Sequence, residues 1–177
     1  MTRLLSFFAV LVFLMSLPLK VNAQVSKQDQ NDFIEHITGC YNWYYQQMNP
    51  NSEFEVPKQL VLGVAIHESN WGQSRFALEG YNFYGIRTVS KDPEDYMIPK
   101  YAPNVKVAKY LHSCNSTFAF IDLMIGSSHY EEAMTMIKNS NSTKLNWIKI
   151  LKSINKKYSV SENWPERIAF IIKSTLS

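Results

Sequence analysis

Metal-ligand spacing is missing from this chain. His36, His67, His112 and His129 are scattered, and His67-Glu68 has no second histidine four residues on. Cysteine is scarce as well. Cys40 and Cys114 are the only two, neither sits in a local motif, and a thiol nucleophile has no support. Paired in a disulfide or left as buried thiols, they read equally well at this level. Net charge is small: 18 Lys+Arg against 15 Asp+Glu gives +3. Without Arg3 and Lys20 of the N-terminal segment, the 16 remaining bases against 15 acids leave +1, which is no footprint of a nucleic-acid partner. No internal repeat, low-complexity stretch or second domain is visible, and nothing implies a cofactor.

What is present begins with an apolar run from Leu4 to Leu19, closed by Pro18 and Lys20 and followed by Val21-Asn22-Ala23 before Gln24. A small-residue site after a short apolar core reads as a secretory signal peptide over residues 1–23. The run is short against the roughly 20 residues a spanning helix needs, and it holds a proline. The expectation is therefore a periplasmic or secreted protein, with no integral membrane segment after cleavage. Residues 24–177 are read as a single domain and a monomer.

Apolar spacing predicts a mainly α protein of the α+β class. Residues 27–48 form a helix with Phe33, Ile34, Ile37, Cys40, Tyr41 and Tyr44 inward, ended at Asn49-Pro50. Pro57 opens a second helix that runs to Glu68, and Ser74 caps a short one through Glu79, stopped by Gly80. Residues 83–111 are too aromatic and too broken for a helix. They read as a small β-lobe or hairpin with an acidic tip, Val105, Val107 and Lys109 alternating along one strand. Asn115 or Ser116 caps the next helix, a further one spans His129 to Lys138, and residues 144–156 carry Leu145, Ile148, Leu151 and Ile154 inward. Trp164-Pro165 starts the last, with Ile168, Ile171 and Ile172. Lys144, Lys149, Lys152, Lys156 and Lys157 form a solvated face, or exert a weak pull on an anionic polymer. Asn115-Ser116-Thr117 and Asn141-Ser142-Thr143 match the N-glycosylation pattern.

The chemistry points to Glu68. Val61, Val64 and Ala65 share its helical face. Asn70 and Gly72 stop the helix just beyond it, so the carboxyl sits near a C-terminus whose partial negative charge disfavours an anion. Apolar neighbours disfavour the anion too. Both raise the pKa, as a general acid requires. A surface Glu on a last helical turn is the plain alternative.

The stretch Ala65-Ile66-His67-Glu68-Ser69-Asn70-Trp71-Gly72-Gln73-Ser74-Arg75-Phe76-Ala77, then Glu79-Gly80-Tyr81-Asn82-Phe83-Tyr84-Gly85-Ile86, closely resembles the signature of the Bax-like branch of the glucosaminidase family, glycoside hydrolase family 73. That branch reads A-x-x-E-S-G-W-G-x-S-R-F-A and then E-G-x-N-L-F-G. Asn70 for Gly and Phe83-Tyr84 for Leu-Phe depart from it. Lys109-Tyr110-Leu111-His112-Ser113, Tyr130, Lys157-Tyr158-Ser159-Val160-Ser161 and Trp164-Pro165-Glu166-Arg167-Ile168 extend the likeness over roughly residues 57 to 175. The resemblance implies a lysozyme-like α-lobe with a small β-hairpin lobe and a cleft between them. It also implies cleavage of the β-1,4 bond at N-acetylglucosamine in peptidoglycan or a related glycan, with Glu68 as the general acid.

A second group is expected on the other side of the bond, with Glu94 and Asp95 on the β-lobe as candidates and Asp92 as an outside choice. If the sugar's own N-acetyl group attacks, that step needs no protein base. Tyr158 matches a family tyrosine near the catalytic Glu, and its phenol can hydrogen-bond the reacting sugar. Tyr81 and Tyr84 are candidate stacking faces, Asn82 an acetamide partner or a turn holder, and Tyr130 a further substrate contact. Trp71 and Phe83 are read as core, and Arg75 as a structural ion-pair residue. Two rivals stand beside this reading. A lytic transglycosylase would use the same lone Glu, although its G-L-M-Q block is replaced here by Tyr84-Gly85-Ile86-Arg87. A non-catalytic glycan-binding protein would keep the cleft alone.

Overall fold

The computed structural model describes residues 24–140 and 145–176. The expected signal peptide, Lys144 and the second glycosylation sequon at Asn141 lie outside them. Among the described residues, no helix is long and apolar enough to cross a membrane.

Helix α1, Lys27–Trp43, starts at Ser26, whose hydroxyl accepts from the Asp29 amide. It runs on into one π-helical turn, Tyr44–Met48. Within this wider turn the adjacent Tyr44 and Tyr45 are both buried. Tyr44 donates to Asp122, and the Tyr45 oxygen accepts from the Val56 amide. The sequence predicted this helix and its buried face but not the π turn.

Helix α2, Lys58–Ser69, is the axle of the molecule. All seven residues from Leu60 to Ile66 are buried, so it is covered on every side rather than along one stripe. It packs on α1, α4 (Asn115–Gly126) and most extensively α7 (Trp164–Thr175). Gly63 makes the α7 contact close: a Cβ there would lie 3.0 Å from Ile172 Cγ1 and 3.2 Å from Ile168 Cγ2. Each buried aliphatic side chain at such a contact contributes about 1.5–3 kcal/mol.

After α3, Arg75–Gly80, the chain enters the small lobe. Ser74 caps α3 as predicted, accepting from the Ala77 amide. The β-structure is smaller than expected. Strand β1, Tyr96–Met97, pairs antiparallel with β2, Val107–Ala108, and Arg87 bridges Val107 from the other side. Neither Val105 nor Lys109 lies in a strand. Pro93, Pro99 and Pro103 break the ladder, because proline offers no amide hydrogen. Single backbone bonds do the rest: Thr88 to the Lys106 carbonyl, Ala108 to Ile86, Lys109 to Asp95 and Tyr110 to Gly80. Arg75 donates to the Ile98 carbonyl at 2.7 Å and pairs with Glu79, a structural role as read from sequence.

Helix α4 corrects a second expectation. Neither Asn115 nor Ser116 caps it. Its N-cap is Cys114, which forms a disulfide with Cys40 of α1 across a Cα–Cα distance of 5.1 Å. The Ser116 hydroxyl is instead buried and accepts from the Phe83 amide. A 3₁₀ turn, Ser128–Tyr130, leads into α5, Glu131–Lys138. Helix α6 runs from Trp147 to Tyr158, later than predicted, with Asn146 accepting from the Lys149 amide. Ile148, read as inward, is at the surface, 38% exposed, and Ile150 joins Leu151 and Ile154 in the core.

Candidate active site

Glu68 occupies the last full turn of α2, and the chain beyond it is held by unusual backbone. Asn70, Trp71 and Gly72 all have positive φ, at 50°, 59° and 76°. Asparagine tolerates this conformation, which explains how Asn70 stands where the family pattern has Gly. Trp71 is bulky and would not adopt it unaided. Ser69 secures the turn: its buried hydroxyl donates to the Ala65 carbonyl at 2.6 Å and accepts from the Gly72 amide at 2.7 Å. Phe33 closes against the turn so tightly that a Cβ on Gly72 would meet its ring at 2.9 Å. The Glu-Ser-x-Trp-Gly block is therefore a device that ends α2 immediately after the carboxylate.

The carboxyl is half-buried on the wall of a cavity of about 540 Å³. The Trp164 indole N–H, at the first turn of α7, donates to Oε1 at 2.6 Å. The other oxygen, Oε2, lies beside Gly85, where an added Cβ would stand 3.5 Å away. Gly85 has φ +66°, a backbone turn that favours glycine, while the 3.5 Å approach is ordinary van der Waals contact. Burial pushes the Glu68 pKa up, and the Trp164 bond opposes part of that rise by favouring the anion.

Four of the predicted site residues meet at this cavity: Glu68, Tyr84, Tyr130 and Tyr158. Tyr158, the last residue of α6, donates its phenol to the Tyr84 carbonyl at 2.5 Å and packs edge-on or tilted against Phe120, Tyr130 and Trp164. Its pKa is held well above the usual phenol value, by burial first and then by the neighbouring Glu68. Tyr84 is not a stacking face. Its ring is 1% exposed, stacked on Phe120 at 4.5 Å, with its hydroxyl on Thr117. Tyr130 is buried, which raises its pKa.

The other four do not line the cavity. Asn82 is buried with its amide spent on backbone: Nδ2 donates to Ile86 and Ala108, and Oδ1 accepts from Tyr84 and Ile86. It holds the turn that carries Gly85. Tyr81 ends α3 at φ 49°. Glu94 and Asp95 are exposed in a 3₁₀ turn, Pro93–Asp95, with Glu94 3.9 Å from Lys109 and Asp95 accepting from Ser90. Asp92 caps that turn. Among the described residues, Glu68 is the only carboxylate lining the cavity.

Sequence reasoning missed Trp164 as the partner of Glu68, and it missed Gly85, Ile86, Arg87 and Leu123 as cavity lining. Gly85 stood in the matched Asn-x-x-Gly block, which was the available signal. Nothing local marks Trp164, which is 96 residues from Glu68.

An α-helical body around a buried axle, a small antiparallel lobe and one half-buried carboxyl at the end of the axle define a lysozyme-like fold. The sequence profile of the glucosaminidase family, described as mannosyl-glycoprotein endo-beta-N-acetylglucosaminidase, matches residues 44–176, and the chain belongs to that family of glycoside hydrolases. No curated protein sequence matches it. Among solved structures it is similar to the catalytic domain of the autolysin Auto from Listeria monocytogenes. That match has 16% identity, covers 84% of this chain and 85% of that one, and gives a TM-score of 0.57. It is also similar to a chain of a type VI secretion system effector–immunity complex from Pseudomonas protegens, at 18% identity, 83% and 91% coverage and a TM-score of 0.54. At these identities the likeness shows the fold alone.

Proposed function

We propose that this protein is an exported endo-β-N-acetylglucosaminidase that cleaves β-1,4 bonds at N-acetylglucosamine in peptidoglycan, with Glu68 as general acid. The observation that carries this reading is a half-buried carboxyl, its pKa raised by burial, on the wall of a cavity large enough for sugar units. Family membership and the autolysin likeness agree with it. The apolar N-terminal run and the Cys40–Cys114 disulfide support export, since disulfides persist in oxidising compartments. Residues 24–177 then act as one domain.

In the proposed reaction Glu68 gives its proton to the glycosidic oxygen as the C1–O bond breaks, and becomes a carboxylate. The Trp164 N–H binds that carboxylate more strongly than the neutral acid, so the contact tightens as charge develops. The positive character at C1 must be met from the opposite face. With no second carboxylate on the cavity wall among the described residues, the substrate's own N-acetyl oxygen is the favoured group there, ahead of Glu94 or Asp95. Water then bonds to C1 as the C1–acetyl oxygen bond breaks, and its proton returns to the Glu68 carboxylate, leaving a reducing end. Tyr158 has committed its proton to the Tyr84 carbonyl, so its oxygen remains as an acceptor for the acetamide N–H. Tyr130 lines the same space.

A lone carboxyl also suits a lytic transglycosylase, and product analysis separates the two. Mass spectrometry of peptidoglycan digested by the purified protein should show reducing N-acetylglucosamine ends. Anhydro-muramic ends would establish the transglycosylase instead, and binding without any product would leave a glycan-binding protein.

A further inference from the structure

The cavity wall carries more positive charge than the reaction needs. Arg87, from the small lobe, and Lys156 and Lys157, from the end of α6, line the same space as Glu68. Lys156 is neutralised at 2.9 Å by Glu132, which also accepts from Ser153. Arg87 and Lys157 have no ion-pair partner among the described residues, and both are exposed. The one carboxyl lining the same cavity among the described residues, Glu68, has its pKa pushed up by burial. The cavity thus presents two cations without ion-pair partners, on two different structural elements.

A neutral polymer of N-acetylglucosamine could accept hydrogen bonds from these groups but would offer no charge to pair with them. The geometry points to Arg87 and Lys157 as specificity-determining residues that bind carboxylates of an anionic amino-sugar polymer. The ligand class is a glycan whose alternate sugars, or the short peptides attached to them, bear free carboxylates near the scissile bond. Arg87 is suited to a bidentate contact, its fork matching a carboxylate, while Lys157 supplies a point charge from a different element of the same cavity. Val160, almost fully exposed beside Lys157, gives an apolar surface at the same rim. This inference rests on the proposed glycan-cleaving reading and narrows its substrate.

The test compares three substrates: soluble peptidoglycan fragments with free carboxylates, the same fragments with those carboxylates amidated, and chitin oligomers. Two contacts of exposed charges together should favour the free-acid fragments by about tenfold in kcat/KM, and the advantage should shrink as salt is raised. In Arg87→Gln with Lys157→Gln the free-acid and amidated fragments should become equal, the free-acid kcat/KM falling to the amidated level. Both side chains are exposed, and an unchanged circular dichroism melt shows that the double variant is folded. A wild-type enzyme that cuts free-acid and amidated fragments equally, or a double variant that keeps the tenfold preference, overturns the inference and leaves the glycosidase reading standing. Failure to cleave any of the three substrates would instead remove the glycosidase reading. Titration of the fragments into Glu68→Gln then tests the charge preference by binding alone, and a tenfold weaker Kd for the amidated form supports it.

Discussion

Replacing Trp164 with Phe isolates the hydrogen bond that the indole gives to the Glu68 carboxyl. The indole N–H lies 2.6 Å from Oε1, and the ring is 1% exposed between α7 and Tyr158. Phenylalanine keeps much of the apolar packing and removes the donor. Truncating so large a buried side chain should cost about 1–3 kcal/mol of stability. The bond itself matters most for the proton. A hydrogen bond to a charged group is worth about 1.5–3 kcal/mol, and this one favours the carboxylate over the acid. Without it, burial acts unopposed and the Glu68 pKa rises further. A general acid works only while protonated, so its pKa sets the alkaline limb of kcat/KM. The expected result is an alkaline limb displaced to higher pH, together with a lower maximum rate, because the developing carboxylate loses its donor. Stability should follow the same sign. A carboxyl whose folded pKa lies above its unfolded value of about 4.3 stabilises the fold fully below that value and loses the contribution as pH rises through the folded pKa. The variant should therefore lose stability over a wider pH span above about 4.3 than wild type does. The assay is a pH profile of reducing-end release, with chemical denaturation at matched pH. An alkaline limb that stays in place or moves to lower pH would refute the role given to Trp164 and the assignment of Glu68 as the titrating acid.

Three further outcomes follow from the same structure. Glu94→Gln and Asp95→Asn should each retain most of the wild-type rate, because neither side chain lines the cavity, whereas a loss of 100-fold or more, about what removing a catalytic group costs, would make one of them the second catalytic group. Replacing both cysteines by serine opens a covalent link between residues 74 apart, and should lower stability by about 2–4 kcal/mol in urea unfolding. Gly72→Ala should cost about 1–3 kcal/mol in the same experiment, since its φ of +76° and the Phe33 ring 2.9 Å from the new Cβ both oppose a side chain.

The parts of this protein that were legible in its sequence are those specified by neighbours along the chain. The buried stripe of α1, the stop after Glu68 and the Ser74 cap depend on residues within one or two turns, and periodicity and capping chemistry describe them. Glu68 could be proposed as an acid from two local signals, helix end and apolar neighbours, and of these the structure bears on burial, which pushes its pKa up. The β-lobe was overestimated because alternation at Val105, Val107 and Lys109 promises a ladder that the nearby prolines deny. The phase of α6 was misjudged because Ile148 and Ile150 are equally apolar, and only the body it packs against decides between them. Features made by distant segments left no local trace: the Cys40–Cys114 link, the indole on Glu68 and the approach of Gly85. Tyr84 shows the limit in a single residue. Its type suits a sugar face and a core ring alike, and Phe120, 36 positions on, settles it as core.

The most direct measurement is the rate of reducing-end release from purified peptidoglycan by wild type and by Glu68→Gln. Glutamine can still accept from the Trp164 N–H and fills the same space, but it has no acidic proton to give. The prediction is a loss of about 10²–10⁴-fold with the melting temperature unchanged or raised. A Glu68→Gln protein that releases reducing ends at the wild-type rate would contradict the assignment of Glu68 as the acid.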